Sequence, residues 1–189
     1  MKIGVIGMQG AVSEHMHVIE KLGHRAVWVK GKEGLEQVSA IIIPGGESTT
    51  ISKLMVKTGL FERVRELGLG GFPIYGTCAG LILLARKGDS QVEKTGQKLL
   101  GLMDMEINRN AFGGQRESFE KTLDVGPVPL FPCVFIRAPA IKRVWGKCKA
   151  LAEFEGVVVA AEQKNLFATA FHPELTDDTR IHEHFLSKI

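Results

Sequence analysis

The sequence predicts an α/β fold: a three-layer structure whose mostly parallel central sheet runs on into a mixed or antiparallel C-terminal part. Three observations carry this expectation. Short apolar runs alternate with helix-period segments through the first half, the pattern of β-α units whose parallel sheet is covered on both faces. After residue 98 the segments become mostly strand-like, joined by turns that are often rich in Gly or Pro. Glycine-rich loops also follow three of the early strands directly, which is where open parallel sheets bind ligands.

The elements follow in order. "KIGVIG" (2–7) is a continuous apolar run, as expected of a strand buried on both faces. Residues 11–22 place Val12, Met16, Ile19 and Leu22 at helical spacing, and Gly23 supplies a stop. "RAVWVK" (25–30) is the second strand, and a short helix over roughly 33–38 leads to the strand "AIIIPGG" (40–46). Residues 49–67 are helical with an interruption at Gly59, "FPIYG" (72–76) is a strand, and "AGLILLAR" (79–86) is a helix. Strand-like segments then cover 99–108, 117–125, 133–139, 157–163 and 166–172. A closing helix is expected from "TDDTRIHEHFLSKI", with Thr176 as N-cap and Asp177 and Asp178 near the positive end of its dipole. The whole chain, residues 1–189, reads as one domain without repeats or low-complexity segments.

Composition excludes several classes. Apolar residues make up 44% and charged residues 24%, ordinary values for a globular domain. The net charge of +3 is spread along the chain without like-charge blocks, so no nucleic-acid or membrane surface is expected. No apolar run is long enough for a transmembrane helix, and the N-terminus enters a strand without a signal-peptide pattern. Cys78, Cys133 and Cys148 form no C-x-x-C and no zinc spacing, which fits a reducing, cytoplasmic compartment. His15/His17 and His182/His184 are i,i+2 pairs on predicted helices and point to different faces. Neither makes a metal pair, and solvated surface histidines are expected instead. "GVIGMQG" lacks the G-x-G-x-x-G spacing and strand 2 does not end in an acidic residue, which argues against a dinucleotide site.

The chemistry concentrates in three places. "GTCAG" (76–80) after a strand and before a helix is a cysteine version of the nucleophile elbow, which sets the side chain above the sheet at a helix N-terminus. Taken alone, the same stretch equally suits a buried structural Cys78 with a glycine for packing. "FHPEL" (171–175) offers His172 as a base, with Glu174 two residues on. In an extended segment, favoured at His172 by Pro173, both point the same way, so the carboxylate can orient the imidazole. "PGGEST" (44–49) adds a tight turn. The Gly46 and Ala79 amides are candidates for an oxyanion hole, and Glu47 and Ser48 either bind polar substrate groups or cap the next helix, which spacing favours.

Together, "PGGEST", "GTCAG" and "HPE" resemble the class I glutamine amidotransferase family, the triad glutaminases. "GVIGMQGAVSEH", "PGGESTT", "GTCAGLILLA", "RNAFGGQRESFE", "FIRAP" and "FHPELTDD" are similar, more narrowly, to the glutaminase subunits of pyridoxal 5'-phosphate synthases, over almost the whole chain. The resemblance implies hydrolysis of L-glutamine to L-glutamate and ammonia, with Cys78 as nucleophile, His172 as base and Glu174 as orienting carboxylate. It places substrate contacts on Gly46, Glu47, Ser48, Arg109, Ile136 and Arg137. It also gives Gln9 a part in contacting and activating a (β/α)₈-barrel synthase subunit, which takes up the ammonia. No metal or cofactor is implied. One departure stands out: the family's R-N-x-[FY]-G-R-Q has Gly114 here in place of its second Arg, with Arg116 nearby. Two other readings are a glutaminase subunit for a different synthase, such as the imidazole glycerol phosphate one, and a non-catalytic redox sensor on the same fold. The narrower motifs disfavour the first and the intact His172/Glu174 pair the second.

Overall fold

A computed structural model describes residues 1–109, 111, 112 and 118–189. Its first strands are the apolar runs of the sequence: β1 (Lys2–Ile6), β2 (Arg25–Val29), β3 (Ala40–Ile43) and β4 (Ile74–Thr77). They join a ten-stranded sheet in the order β2-β1-β3-β4-β12-β11-β9-β6-β5, with β10 paired to β11. β5 (Ala85–Lys87), β6 (Met103–Asn108), β9 (Ala140–Val144), β10 (Lys149–Phe154), β11 (Val157–Gln163) and β12 (Leu166–Thr169) complete it. The pairings among β2, β1, β3, β4 and β12 are parallel, whereas β11 runs antiparallel to β12, β10 and β9. The expected mostly parallel sheet with an antiparallel continuation is therefore what the chain forms.

Helices cover both faces. α1 (Val12–Lys21) and α7 (Arg180–Leu186) meet through His15 and His182 on one face, where Tyr75 of β4 packs edge-on to both rings. Ile74, the neighbour of Tyr75, points the other way, toward Gly68 of α4 (Leu60–Leu69). α3 (Ser48–Lys57) and α5 (Ala79–Leu84) share that second face, and Gly59 separates α3 from α4 with φ 71°. α2 (Lys32–Leu35) and α6 (Ser90–Thr95) are short. Among the described residues no helix is long and apolar enough to cross a membrane.

Some elements differ from the sequence expectation. β7 (Ser118–Val125) and β8 (Val128–Ile136) leave the main sheet as a separate antiparallel pair, bound to the rest by Phe135 against Phe171 and by aromatic contacts to Phe154. The closing helix starts at Arg180, so Thr176 is not its N-cap. The Thr176 hydroxyl instead donates to the Pro173 and Asp178 carbonyls, and the Asp178 carboxylate accepts the Arg180 N–H at 3.1 Å. Pro173 opens a 3-10 turn, Pro173–Leu175, and residues 176–179 bridge it to the helix.

The β4–α5 junction leaves no room for side chains on its glycines. A Cβ on Gly80 would lie 2.1 Å from the Ile43 carbonyl oxygen, and one on Gly76 would lie 2.5 Å from the Gly80 carbonyl carbon and oxygen. Both neighbours are backbone and cannot rotate away. Gly80→Ala is therefore expected to cost about 1–3 kcal/mol of stability through overpacking. Urea denaturation checks this: a midpoint equal to that of the parent chain contradicts the close approach.

Candidate active site

Cys78 follows β4 and is the N-cap residue of α5, with φ 49° and ψ −98°, a conformation that a non-glycine residue holds at a cost of about 1–3 kcal/mol. The surroundings over-determine it. The Cys78 N–H donates to the Thr169 carbonyl at 2.8 Å, the Cys78 carbonyl accepts from Ile82 at 3.3 Å, and the two glycines let α5 press onto β3 and β4. The result is the strand–turn–helix elbow expected from "GTCAG", with the thiol carried at a helix N-terminus beside a cleft.

The histidine comes from the segment that follows the neighbouring strand. β12 pairs in parallel with β4, Thr169 opposite Thr77, so the chain beyond β12 runs out at the same sheet edge as Cys78. Three residues later stands His172, its N–H donating to Val134 of β8 at 2.8 Å. The His172 Nδ1–H donates to Glu174 Oε1 at 2.7 Å, and both side chains are buried. The pair meets differently from the sequence expectation. Glu174 sits inside the 3-10 turn rather than in an extended segment, because Pro173 suits the first position of a helical turn as well as it suits an extended predecessor.

Charge is arranged accordingly. Burial pulls the His172 pKa down, but hydrogen bonds and charge interactions with Cys78 and Glu174 outweigh it and raise the value to about 10. For Glu174, burial works against the carboxylate, and His15 and the bonded His172 outweigh it, so its pKa lies below the usual range.

Ten of the eleven residues singled out in the sequence line one cleft of about 440 Å³: Gln9, Gly46, Glu47, Ser48, Cys78, Ala79, Arg109, Ile136, Arg137 and His172. Glu174 stands behind His172. Glu47 acts as the cap that spacing favoured, accepting the Thr49 and Thr50 N–H groups at 3.0 and 2.7 Å. Burial would raise its pKa, yet these bonds and the Thr50 hydroxyl bring it to about 2. Arg109 reaches Glu47 Oε1 at 3.4 Å, and its own N–H is fixed by Asp89 at 2.7 Å. Gln9 Oε1 accepts the Glu47 N–H at 3.1 Å, linking the loop after β1 to the loop after β3. That contact needs the two loops to touch, and they do so at Gly10, where a Cβ would lie 1.6 Å from the Gly45 carbonyl oxygen. Gly114 and Arg116 lie outside the described residues.

Sequence reasoning missed several groups here. Ile82, Gln91 and Pro139 also line the cleft. His15 and His182 are fully buried and paired at 3.0 Å, contrary to the expected solvated histidines. Their signal was available: His15 lies three residues after Val12 and four before Ile19, on the buried face of α1. His17 is exposed as expected, and His184 is half-buried against Glu162.

Residues 5–189 match the model of the SNO glutamine amidotransferase family. The "Pyridoxal 5'-phosphate synthase subunit PdxT" of Methanosarcina mazei is 52% identical, covering 100% of this chain and 98% of that protein. The protein of the same name from Archaeoglobus fulgidus is 53% identical, covering 98% and 97%. A solved structure described as "Crystal structure of glutamine amidotransferase" superposes with a TM-score of 0.93 at 41% identity, over 98% of this chain and 97% of that one. A chain of the PurLQS structure from Thermotoga maritima shares the fold, with a TM-score of 0.65 at 14% identity over 98% and 97%.

The three free cysteines differ in setting. Burial pushes the Cys133 thiol up to about 12, and burial aided by Asp104 and Glu162 does the same for Cys148. Cys78 alone of the three lines the cleft. Treatment with iodoacetamide at neutral pH is expected to alkylate Cys78 and leave the other two unmodified. Peptide mass spectrometry reads the outcome, and comparable labelling of Cys133 or Cys148 contradicts it.

Proposed function

Because the chain belongs to the SNO glutamine amidotransferase family and is a glutaminase subunit of the pyridoxal 5'-phosphate synthase type, we propose that Cys78, His172 and Glu174 are its catalytic triad. The observation that carries this reading is the buried His172–Glu174 pair at 2.7 Å, beside a cysteine held on a strained turn at the mouth of the same cleft. The Cys78 thiolate attacks the side-chain amide carbon of L-glutamine. The oxyanion that forms is met by the N–H groups of Gly46 and Ala79. Ala79 opens α5, where first-turn amides have no intrahelical acceptor. The Gly45 carbonyl faces the Ala11 N–H at 3.4 Å, so the Gly46 N–H, anti to it across a trans peptide, is directed away from the β1 loop.

With a pKa of about 10, His172 is an imidazolium at neutral pH and gives its proton to the departing nitrogen as the C–N bond breaks. Neutral His172 then takes a proton from water, which attacks the thioester to release L-glutamate and restore the thiolate. Glu174 holds the ring by Nδ1 and stabilises its charge throughout. Arg109 and Arg137 supply the positive groups that suit the glutamine α-carboxylate, and Glu47, Ser48 and the Ile136 backbone suit its ammonium.

The ammonia is passed to a separate synthase subunit, which we read as a (β/α)₈ barrel. Gln9, at the junction of the β1 and β3 loops, is assigned to that contact and to activation. Residues 1–189 form one glutaminase domain, working in the cytoplasm, where its three free thiols stay reduced.

Ammonia release from glutamine, measured with the synthase subunit present, tests the assignment. Cys78→Ala is expected to abolish turnover while leaving the fold and subunit binding intact, and His172→Ala to be nearly as severe. Retained turnover in Cys78→Ala defeats the triad. Glu174→Gln keeps shape and loses charge, so kcat should fall by about 10²–10⁴-fold. Glu174 raises the His172 pKa, so the same variant should move the alkaline limb of the kcat profile to lower pH. An unmoved limb contradicts the electrostatic role.

A further inference from the structure

Glu174 has two oxygens and His172 uses only Oε1. Oε2 is buried and makes no hydrogen bond of ordinary length among the described residues. Facing it at 3.5 Å is Nε2 of His15, a residue that the triad leaves unused. The same Nε2 lies 3.1 Å from the Thr77 hydroxyl, next in sequence to Cys78, and His15 Nδ1 lies 3.0 Å from His182 Nε2. Three elements, α1, α7 and β4, thus meet behind the carboxylate. We propose that His15 is a positioning residue for glutamine hydrolysis, a neutral imidazole whose Nε2–H points at Glu174 Oε2 and whose tautomer is set by His182. The inference rests on Glu174 being the triad carboxylate.

The proton count decides the tautomer. One proton lies between the two rings. If His15 Nδ1 held it, a neutral His15 would turn a bare Nε2 lone pair toward the carboxylate, and His182 would carry its proton on Nδ1. That Nδ1 is buried without a partner among the described residues, so an N–H would be stranded there. If His182 Nε2 holds the proton instead, it donates to His15 Nδ1, and the His15 proton sits on Nε2, between Thr77 Oγ1 and Glu174 Oε2. Only a bare lone pair is then left unmatched, on His182 Nδ1. The second arrangement removes a lone-pair repulsion and a stranded donor together.

Neutrality matters for the role. Burial lowers the pKa of His15, and burial, the largest cause, lowers that of His182 to about 3. A second imidazolium behind Glu174 would draw its charge away from His172. A neutral N–H fixes the carboxylate's orientation and leaves that charge for the base. Because the same N–H also reaches Thr77, it ties the strand that carries the nucleophile to the group that orients the base.

The test is steady-state glutamine hydrolysis by the chain with its synthase subunit, in His15→Phe, His15→Gln, His182→Phe and Glu174→Gln. His15→Phe keeps a ring and loses the donor. Its kcat should fall about 10- to 100-fold, the loss seen when a group that orients a ligand from behind is removed, with KM for glutamine unchanged. His15→Gln can place its side-chain NH₂ near the Nε2 position and should recover most of kcat. Wild-type kcat in His15→Phe, or equal losses in Phe and Gln, overturns the inference. Should His15→Phe fail to fold, His182→Phe carries the test, because it keeps His15 and frees its tautomer. A lower kcat at constant KM supports the proposal, and an unchanged kcat defeats it. A wild-type rate in Glu174→Gln would instead defeat the triad reading. A slow Glu174→Gln beside a fully active His15→Phe defeats the positioning role alone.

Discussion

The backbone at Cys78 is the constraint on which the rest of the site depends. A non-glycine residue at φ 49° and ψ −98° stays there only if its neighbours leave it no relaxed alternative. Those neighbours are a strand, a helix and a parallel partner strand, and each is fixed by its own packing. Thr77 lies opposite Thr169 in the β4–β12 ladder, which sets how far Cys78 stands from His172. A one-residue slip of that ladder would turn the side chains of one strand to the opposite face and part Tyr75 from Phe167, which stack on each other. The apolar core therefore enforces the register, and the register brings Cys78 and His172 together.

Electrostatics completes what packing begins. A buried imidazole alone would be neutral. A hydrogen-bonded carboxylate on one side and the cysteine on the other reverse that preference. Glu174 keeps its charge although it is buried, because His172 and His15 face its two oxygens. The chain has surrounded one anion with two histidines in different states: one charged and open to the cleft, one neutral and sealed behind it.

Much of this was legible in the sequence. Continuous apolar runs marked β1, β3 and β4, since strands covered on both faces need no alternation. The glycines of "GTCAG" marked the elbow, and "HPE" marked His172 and its carboxylate partner. Other features were not legible, for physical reasons. "KALAEF" forms β10 although alanine gives little strand preference, because pairing with β11 decides its state. β7 and β8 carry ordinary strand patterns, and nothing local records that they form their own sheet. His15 and His182 escaped notice because i,i+2 spacing speaks only to metal pairing within one helix, whereas these two rings pair across helices. Their neighbours Val12, Ile19, Ile181 and Phe185 show that both lie on buried helix faces. Arg109 was placed by resemblance, while the Asp89 contact that fixes its backbone joins residues far apart in sequence.

The whole site stands on the charge state of one ring. Titration of the His172 imidazole, followed by ¹⁵N NMR in the resting protein, measures it directly. The ring is expected to be doubly protonated at pH 7 and to lose its proton only as the pH approaches about 10. A His172 that is neutral at pH 7, titrating at or below about 6.5 as an unpaired histidine does, would contradict the pairing from which the whole site has been built.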